Sequence, residues 1–548
     1  DSAFNVACRG EGAVKLTNNG TVNVSGTSDI AASVTGSGWV YMNGVTLDAD
    51  TKLTGAKVRF ATGTNNVDGS VIDDGFFQVG IGAYNGVDAN VDTVNGVTVN
   101  VKNAQIGSSG GTYAGWVGTG FYDTDAEKAA AMTDAKYVLN IENSIAEFGY
   151  LHVSNDGELN VKGNAAEKAW YNSSDYSFYA GDLIINGIAT FDATDVLAQY
   201  TKVSCDNGTD KPGTLNIVNG TEYEAERHNG AIDGTNFDLR KTGIVNVAEG
   251  AKLHIGEYTS IAADAKMNIG GNVTALGTIT NNGTITLTDM DATLTTPEAP
   301  AVITEIADHK VVYADGAYKV VAKMYVAQTG DAKFESLQEA IDAAKNGDTV
   351  TLLVDGISEN VTVVQAPDTV ITIDGADKTF NGTITVNGKS AAYATAGLTI
   401  KNVKFAAASG ATCIHLGVSG DNNTRYTSNV TVVNCTFTGT DKTAAAIKSY
   451  TGGDKNLTVT GCTATGMHSL MQLKNVDGVT VSGCTITESK NGISLGASSD
   501  AVITGCKMDL TGYGVRADAI EAGAGAKITG SEIKANLPVV VRNVQAVY

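Results

Sequence analysis

The chain has 548 residues, with 64 Gly but only 5 Pro, 43% hydrophobic residues, 18% charged residues and a formal net charge of −22. That balance can bury a large core and excludes wholesale disorder, and the lack of a three-residue glycine period excludes collagen. The acidic charge opposes binding to phosphate backbones, and no run of about eighteen apolar residues offers a membrane-spanning helix.

The chain opens on Asp1 without an initiator Met, which fits a processed end or a trimmed chain. Residues 1–296 repeat strand-and-turn phrases, among them Gly20-Thr-Val-Asn-Val-Ser25, Gly96-Val-Thr-Val-Asn-Val101, Gly157-Glu-Leu-Asn-Val161, Gly213-Thr-Leu-Asn-Ile217 and Gly243-Ile-Val-Asn-Val247. Their spacing is irregular but their alternation has period two, which predicts an irregular parallel β-helix or solenoid over 1–296. The phrases resemble the passenger regions of bacterial surface adhesins. Asp123 to Lys136, with the Ala129-Ala-Ala131 run, reads as a helical excursion. Trp170, Tyr171, Tyr176, Phe178 and Tyr179 cluster in a polar segment. Their ring faces could stack on a sugar or dock a host protein; the plainer alternative is a loop packing its rings on the coil wall. Asp73-Asp74 is a lone carboxylate pair to weigh for acid–base work.

Residues 297–332 read as a connector, with a hairpin over His309–Val321 that turns at Asp315-Gly316. A short helix is predicted over 336–346. Ser336 and Glu339 form a capping box, Phe334, Leu337, Ile341 and Ala344 make one apolar face, and Asn346-Gly347 stops it. Such a helix would cover the raw end of a stack of coils. With Gly347-Asp-Thr-Val350, Glu359-Asn-Val-Thr-Val363 and Val370-Ile-Thr-Ile-Asp-Gly375 following it, the stretch resembles the N-terminal cap of the pectin-lyase-like right-handed β-helix superfamily. The resemblance spans 333–548. It implies stacked parallel coils, with any acid, base or Ca²⁺-binding residues on the outer face. The superfamily's Asn-Thr-Asp, Gly-His-Gly and Arg-Ile-Lys phrases are not found here, so none of its catalytic residues carries over.

The strongest repeat lies in this half. Cys435, Cys462, Cys484 and Cys506 are spaced by 27, 22 and 22 residues, each inside the same phrase, as in Val479-Thr-Val-Ser-Gly-Cys-Thr-Ile486. A fixed period in this range means stacked supersecondary units. Ile400, Val432, Val459, Val481, Ile503 and Ile528 share one apolar position. Asn402, Asn434, Gly461, Gly483, Gly505 and Gly530 share the turn that follows, where Asn and Gly tolerate a left-handed backbone. The four Cys then form an inward structural ladder. A second strand follows each phrase, at Ile414/Leu416, Ala445/Ile447, Met471/Leu473, Ile493/Leu495, Val515/Ala517 and Val539/Val541. Beside it an outward row is expected from His415, Lys448, Gln472, Lys474, Arg516 and Arg542, followed by Asp454, Asp477 and Asp500 at spacings of 23 and 23. A cationic row beside an acidic one could hold an acidic glycan or bind Ca²⁺ through oxygen ligands; the plainer alternative is a solvated face with Asp at turns. Apart from that Ca²⁺, no cofactor is expected. The C-terminus falls inside a repeat.

The expected fold is all-β: two right-handed parallel β-helix segments, 1–296 and 333–548, joined by the hairpin connector. Such a chain displays surface rather than enclosing a pocket. The expected function is a secreted or cell-surface bacterial structural or adhesin-like protein. It would act by contact or by self-assembly into a layer or filament, with itself, a surface glycan or a host protein as partner and no nucleic acid. Connector, hairpin, capping helix and β-helix in that order resemble modules of large surface proteins of anaerobic gut bacteria. The alternatives are a polysaccharide lyase or hydrolase acting on acidic glycan, and a viral receptor-binding spike.

Overall fold

The computed structural model describes residues 14–17, 21–25, 29–30, 32–35, 39–55, 57–73, 76–80, 92, 95–107, 114–118, 136–166, 176–205, 211–225, 236–298, 303–388, 395–417, 426–449, 453–518 and 526–542. The chain divides into two compact units, Asp1–Ala322 and Lys323–Tyr548. The predicted helical excursion lies almost wholly outside the described residues.

In the first unit, strands stack one coil on the next, parallel and in register. One wall runs through Val97–Lys102, Tyr137–Glu142, Gly157–Lys162, Ile188–Asp192, Thr214–Ile217, Ile244–Val247, Lys266–Ile269 and Thr284–Leu287. Period-two alternation sends Val99, Leu139, Leu159, Ala189, Leu215, Val245, Met267 and Ile285 into one buried column. The next residue of each strand faces out, and there asparagines meet asparagines. Asn100 Nδ2 donates to Asn66 Oδ1 at 3.0 Å, Asn140 to Asn100 at 2.9 Å and Asn160 to Asn140 at 2.9 Å. Inside, Phe148, Phe178, Phe191 and Tyr223 pass ring contacts along the core, the first tilted and the next two edge-to-face, at centroid distances of 6.5, 5.2 and 5.0 Å.

The hairpin forms as expected from His309–Ala314 and Ala317–Ala322. It is not a free connector, however. Ala317–Ala322 also pairs antiparallel with Thr293–Thr295, and Tyr318 and Val320 join the core of the first unit. The last coil would otherwise leave a strand edge unpaired, and the hairpin covers it.

The second unit has three strands per coil and three sheets of ten, eight and seven strands. From the coil at Gly397–Lys401 onward every pairing is parallel. The ladder predicted from the cysteine phrases is present: Ile400, Val432, Val459, Val481 and Ile503 stack in register, all buried. The turn column is left-handed throughout, with φ of 55° at Asn402, 52° at Asn434, 63° at Gly461, 59° at Gly483, 61° at Gly505 and 58° at Gly530. Cys435, Cys462, Cys484 and Cys506 are buried free thiols, each pointing at a carbonyl of the preceding coil, from Ile400 O at 3.6 Å to Val481 O at 4.0 Å. They act as small core side chains. The second strand stacks Ile414, Ile447, Met471, Ile493 and Val515; the expected alignment of Ala445 with Ile414 and of Ile447 with Leu416 is off by two residues, because Ala445 pairs with Thr412 and Ser449 with Leu416.

The capping helix α1 spans Leu337–Ala343 and buries Leu337, Ala340 and Ile341. Ser336 is its N-cap and accepts from the Glu339 N–H at 3.3 Å. The carboxylate at this end is Glu359 from the first coil. It accepts from the N–H groups of Leu337 and Gln338 at 2.8 and 3.1 Å and from Ser336 Oγ at 2.7 Å. The cap is therefore tied to the coil it covers. The helix stops earlier than expected: Ala344 is already extended, and Gly347 (φ 86°) serves the turn into the next strand.

At Gly483 no atom lies within 4 Å of where a Cβ would stand, so substitution tests backbone strain alone. Gly483→Ala is expected to lower stability by about 1 kcal/mol and Gly483→Asn by less. Chemical denaturation of the two variants beside the parent measures this, and equal effects would contradict it.

Candidate functional site

The residues predicted for the outward row of the second unit do share a face, but not one column. His415, Lys448, Gln472, Ser494, Arg516 and Val540 stack in register. Lys474 stands one pleat further along, in a column with Gly496, Asp518 and Arg542. Burial, and then the charge of Lys448, lower the pKa of His415, which favours its neutral form. Arg516 is spent on Asp518, with Nη2 to Oδ2 at 2.5 Å, and Gln472 lies 2.7 Å from the His468 ring. The continuous cationic row is thus interrupted by Ser494 and Val540 and partly neutralised.

The three aspartates do not form a row. Local coils are 22 residues long, so a spacing of 23 slips one column per coil. Asp454 aligns with Val476, and Asp477 stacks between Lys455 and Ser499. Asp500 (φ 48°) falls in a column of left-handed strand positions after Asn456 (φ 58°) and Gly478 (φ 75°). Among the described residues no three His, Cys, Asp or Glu side chains gather as a metal site. Asp454 is only 1% exposed, and its Oδ1 accepts from the N–H and hydroxyl of Thr427 at 2.8 and 2.9 Å. Burial nevertheless pushes its pKa up to about 6.

In the first unit, Trp170, Tyr171 and Asp74 lie outside the described residues. Tyr176 precedes the strand Phe178–Ile185, and Tyr179 lies in it. They form a small apolar cluster with Leu197 on the outer wall, and the Tyr176 hydroxyl donates to Glu224.

A second group there was missed. Tyr150, Asp182 and Tyr200 stack on three successive coils, half-buried and facing outward. The neighbouring column runs Tyr41, Arg59, Gln78, Trp116, His152, Ile184, Lys202 and Asp238, all buried except the half-buried Ile184 and Lys202. Trp116 contacts Tyr150 and His152, with centroids at 5.5 and 4.8 Å. The Arg59 guanidinium lies 4.4 Å from the Trp39 ring and donates to Gln78 Oε1 at 3.1 Å. Tyr200 OH donates to Asp238 Oδ2 at 3.3 Å, and Asp238 also pairs with Arg240. Burial and then Asp182 push the pKa of Tyr150 up to about 12, and burial and then Asp238 push Tyr200 to about 12. Both phenols therefore stay protonated at neutral pH, suited to donate hydrogen bonds and unsuited to act as bases.

The spacings hid this group. Tyr150, Asp182 and Tyr200 are 32 and 18 residues apart, so no period marks them. One signal was available: Gly149-Tyr150, Gly181-Asp182 and Gln199-Tyr200 each put two non-core residues in succession within an alternating strand.

Residues 360–544 match the family model described as a right handed beta helix region, a span inside the second unit. Fold and match together define that unit as a right-handed parallel β-helix. No curated protein matches the chain. Two solved structures, the PL6 family alginate lyase AlyGC and a point mutant of it, align over 97–98% of this chain and 94–96% of theirs at 12% identity, with TM-scores of 0.19 and 0.23.

Because burial raises the Asp454 pKa above its unfolded value, the fold favours the protonated acid. That preference stabilises fully below the unfolded value and is lost as pH rises through about 6. Asp454→Asn keeps the acceptor for Thr427 and removes the charge. Its melting temperature is expected to exceed the parent's at about pH 8 and to converge with it near about pH 4. A pH-independent difference would contradict this origin.

Proposed function

We propose that the protein is an extracellular, adhesin-like surface protein that works by presenting the outer walls of its coils to glycans. The observation that carries this reading is the half-exposed row of Tyr150, Asp182 and Tyr200 beside Trp116. Flat rings flanking a carboxylate suit a hydroxylated ring: the rings stack on its C–H face, while the carboxylate and the neutral phenols take its hydroxyls. A coil wall is rigid, so these groups are held in place before the ligand arrives. The net charge of −22 suits an exposed soluble surface.

The second reading, a polysaccharide lyase or hydrolase, draws on the nearness of His152, Asp182 and Asp238 to the same rings. The protonated phenols weigh against a tyrosine base. Prolonged incubation with soluble polysaccharides, assayed for new reducing ends and unsaturated products, separates catalysis from binding.

The binding reading predicts that Tyr150→Ala and Tyr200→Ala each weaken capture of the glycans bound by the parent by about tenfold, as expected for aromatic contacts at the centre of a site. Glycan-array binding of folded variants measures this. Unchanged binding would sink the reading.

A further inference from the structure

A different wall of the first unit carries a groove of about 540 Å³, in the size range of ligand sites. It follows the stacked amides of Asn216, Asn246 and Asn268, with Ala248 on its floor and Glu249 and Asp289 on its edge. Asn246 Nδ2 donates to Asn216 Oδ1 at 2.9 Å, and Asn268 Nδ2 donates to Asn246 Oδ1 at 2.8 Å. The ladder ends on Thr190, whose hydroxyl accepts from Asn216 at 3.4 Å.

The bookkeeping of one rung sets what a ligand must offer. An Asn amide has two N–H donors and two carbonyl lone pairs. Asn246 gives one N–H downward and accepts one from above, which leaves one donor and one acceptor facing outward. Coil stacking repeats that pair about every 4.8 Å along the groove. Hydroxyls both donate and accept, and a linear glycan offers them at regular intervals along its chain. Gly270 keeps the floor low: a Cβ there would stand 3.2 Å from Val247 O and 3.3 Å from Thr288 Oγ1. The edge charges set the sign. Glu249 is exposed and Asp289 half-buried, so the groove repels carboxylated or sulfated chains and favours amines.

We infer that this asparagine-lined groove binds a linear, non-anionic glycan, with free-amine sugars preferred over neutral ones. The groove is built from other residues than the tyrosine row, so either site can fail without the other. The full chain is titrated calorimetrically with a glucosamine oligomer, a neutral glucan oligomer and an oligogalacturonate. The glucosamine oligomer is expected to bind best, the glucan more weakly and the oligogalacturonate not at all.

Ala248→Trp fills the floor without removing a rung and should weaken binding by at least about tenfold. Glu249→Lys, at an exposed position that tolerates change, takes the edge charge from −2 to zero and should abolish the preference for amine over neutral sugar, and this variant decides the matter if Ala248→Trp does not fold. Failure of both non-anionic oligomers to bind, tighter binding of the oligogalacturonate, or an unchanged preference in Glu249→Lys would overturn the proposal.

Discussion

No coil of this chain can satisfy its own backbone. Each strand's N–H and C=O groups point along the stack, so they are paired only when the next coil lies parallel and in register. That requirement governs everything else in both units. It forces equivalent positions into columns, so a side chain is surrounded chiefly by its counterparts above and below. Stacked aliphatics, thiols, asparagines and aromatic rings are all consequences of the one constraint, as is the left-handed residue that recurs at the same turn from Asn402 to Gly530.

The ends of a stack need a different solution. The first unit turns a strand back antiparallel at Ala317–Ala322 and buries Tyr318 and Val320 beneath it. At the start of the second unit Ala327–Thr329 pairs antiparallel with the strand Thr349–Leu352, and helix α1 follows, its orphan N–H groups taken by Glu359 of the first coil. Both devices cover an edge that would otherwise invite pairing with another chain.

Binding surfaces on such a fold are read vertically. What matters is which residues fall in one column, and that depends on coil length to the single residue. The aspartates Asp454, Asp477 and Asp500 show the cost of a slip: a spacing one residue longer than the coil carries them into three environments, a buried strand start, an exposed strand position and a left-handed one. Tyr150, Asp182 and Tyr200 show the reverse, since unequal spacings bring them into one column.

The sequence by itself determined the columns wherever coils are of nearly equal length. Over residues 398–533 the inward aliphatics, the thiol ladder and the turn residues were legible, because period-two burial and left-handed backbone leave residue-type signatures at constant spacing. In the first unit the Gly-x-Leu-Asn-Val type of phrase revealed strands but not that their asparagines touch. The tertiary structure alone decided which columns were complete. Excursions of varying length between strands leave no trace in local pattern, yet the backbone ladder absorbs them and resets the register at every coil. Hence the tyrosine row and the asparagine-lined groove exist only once the coils are stacked.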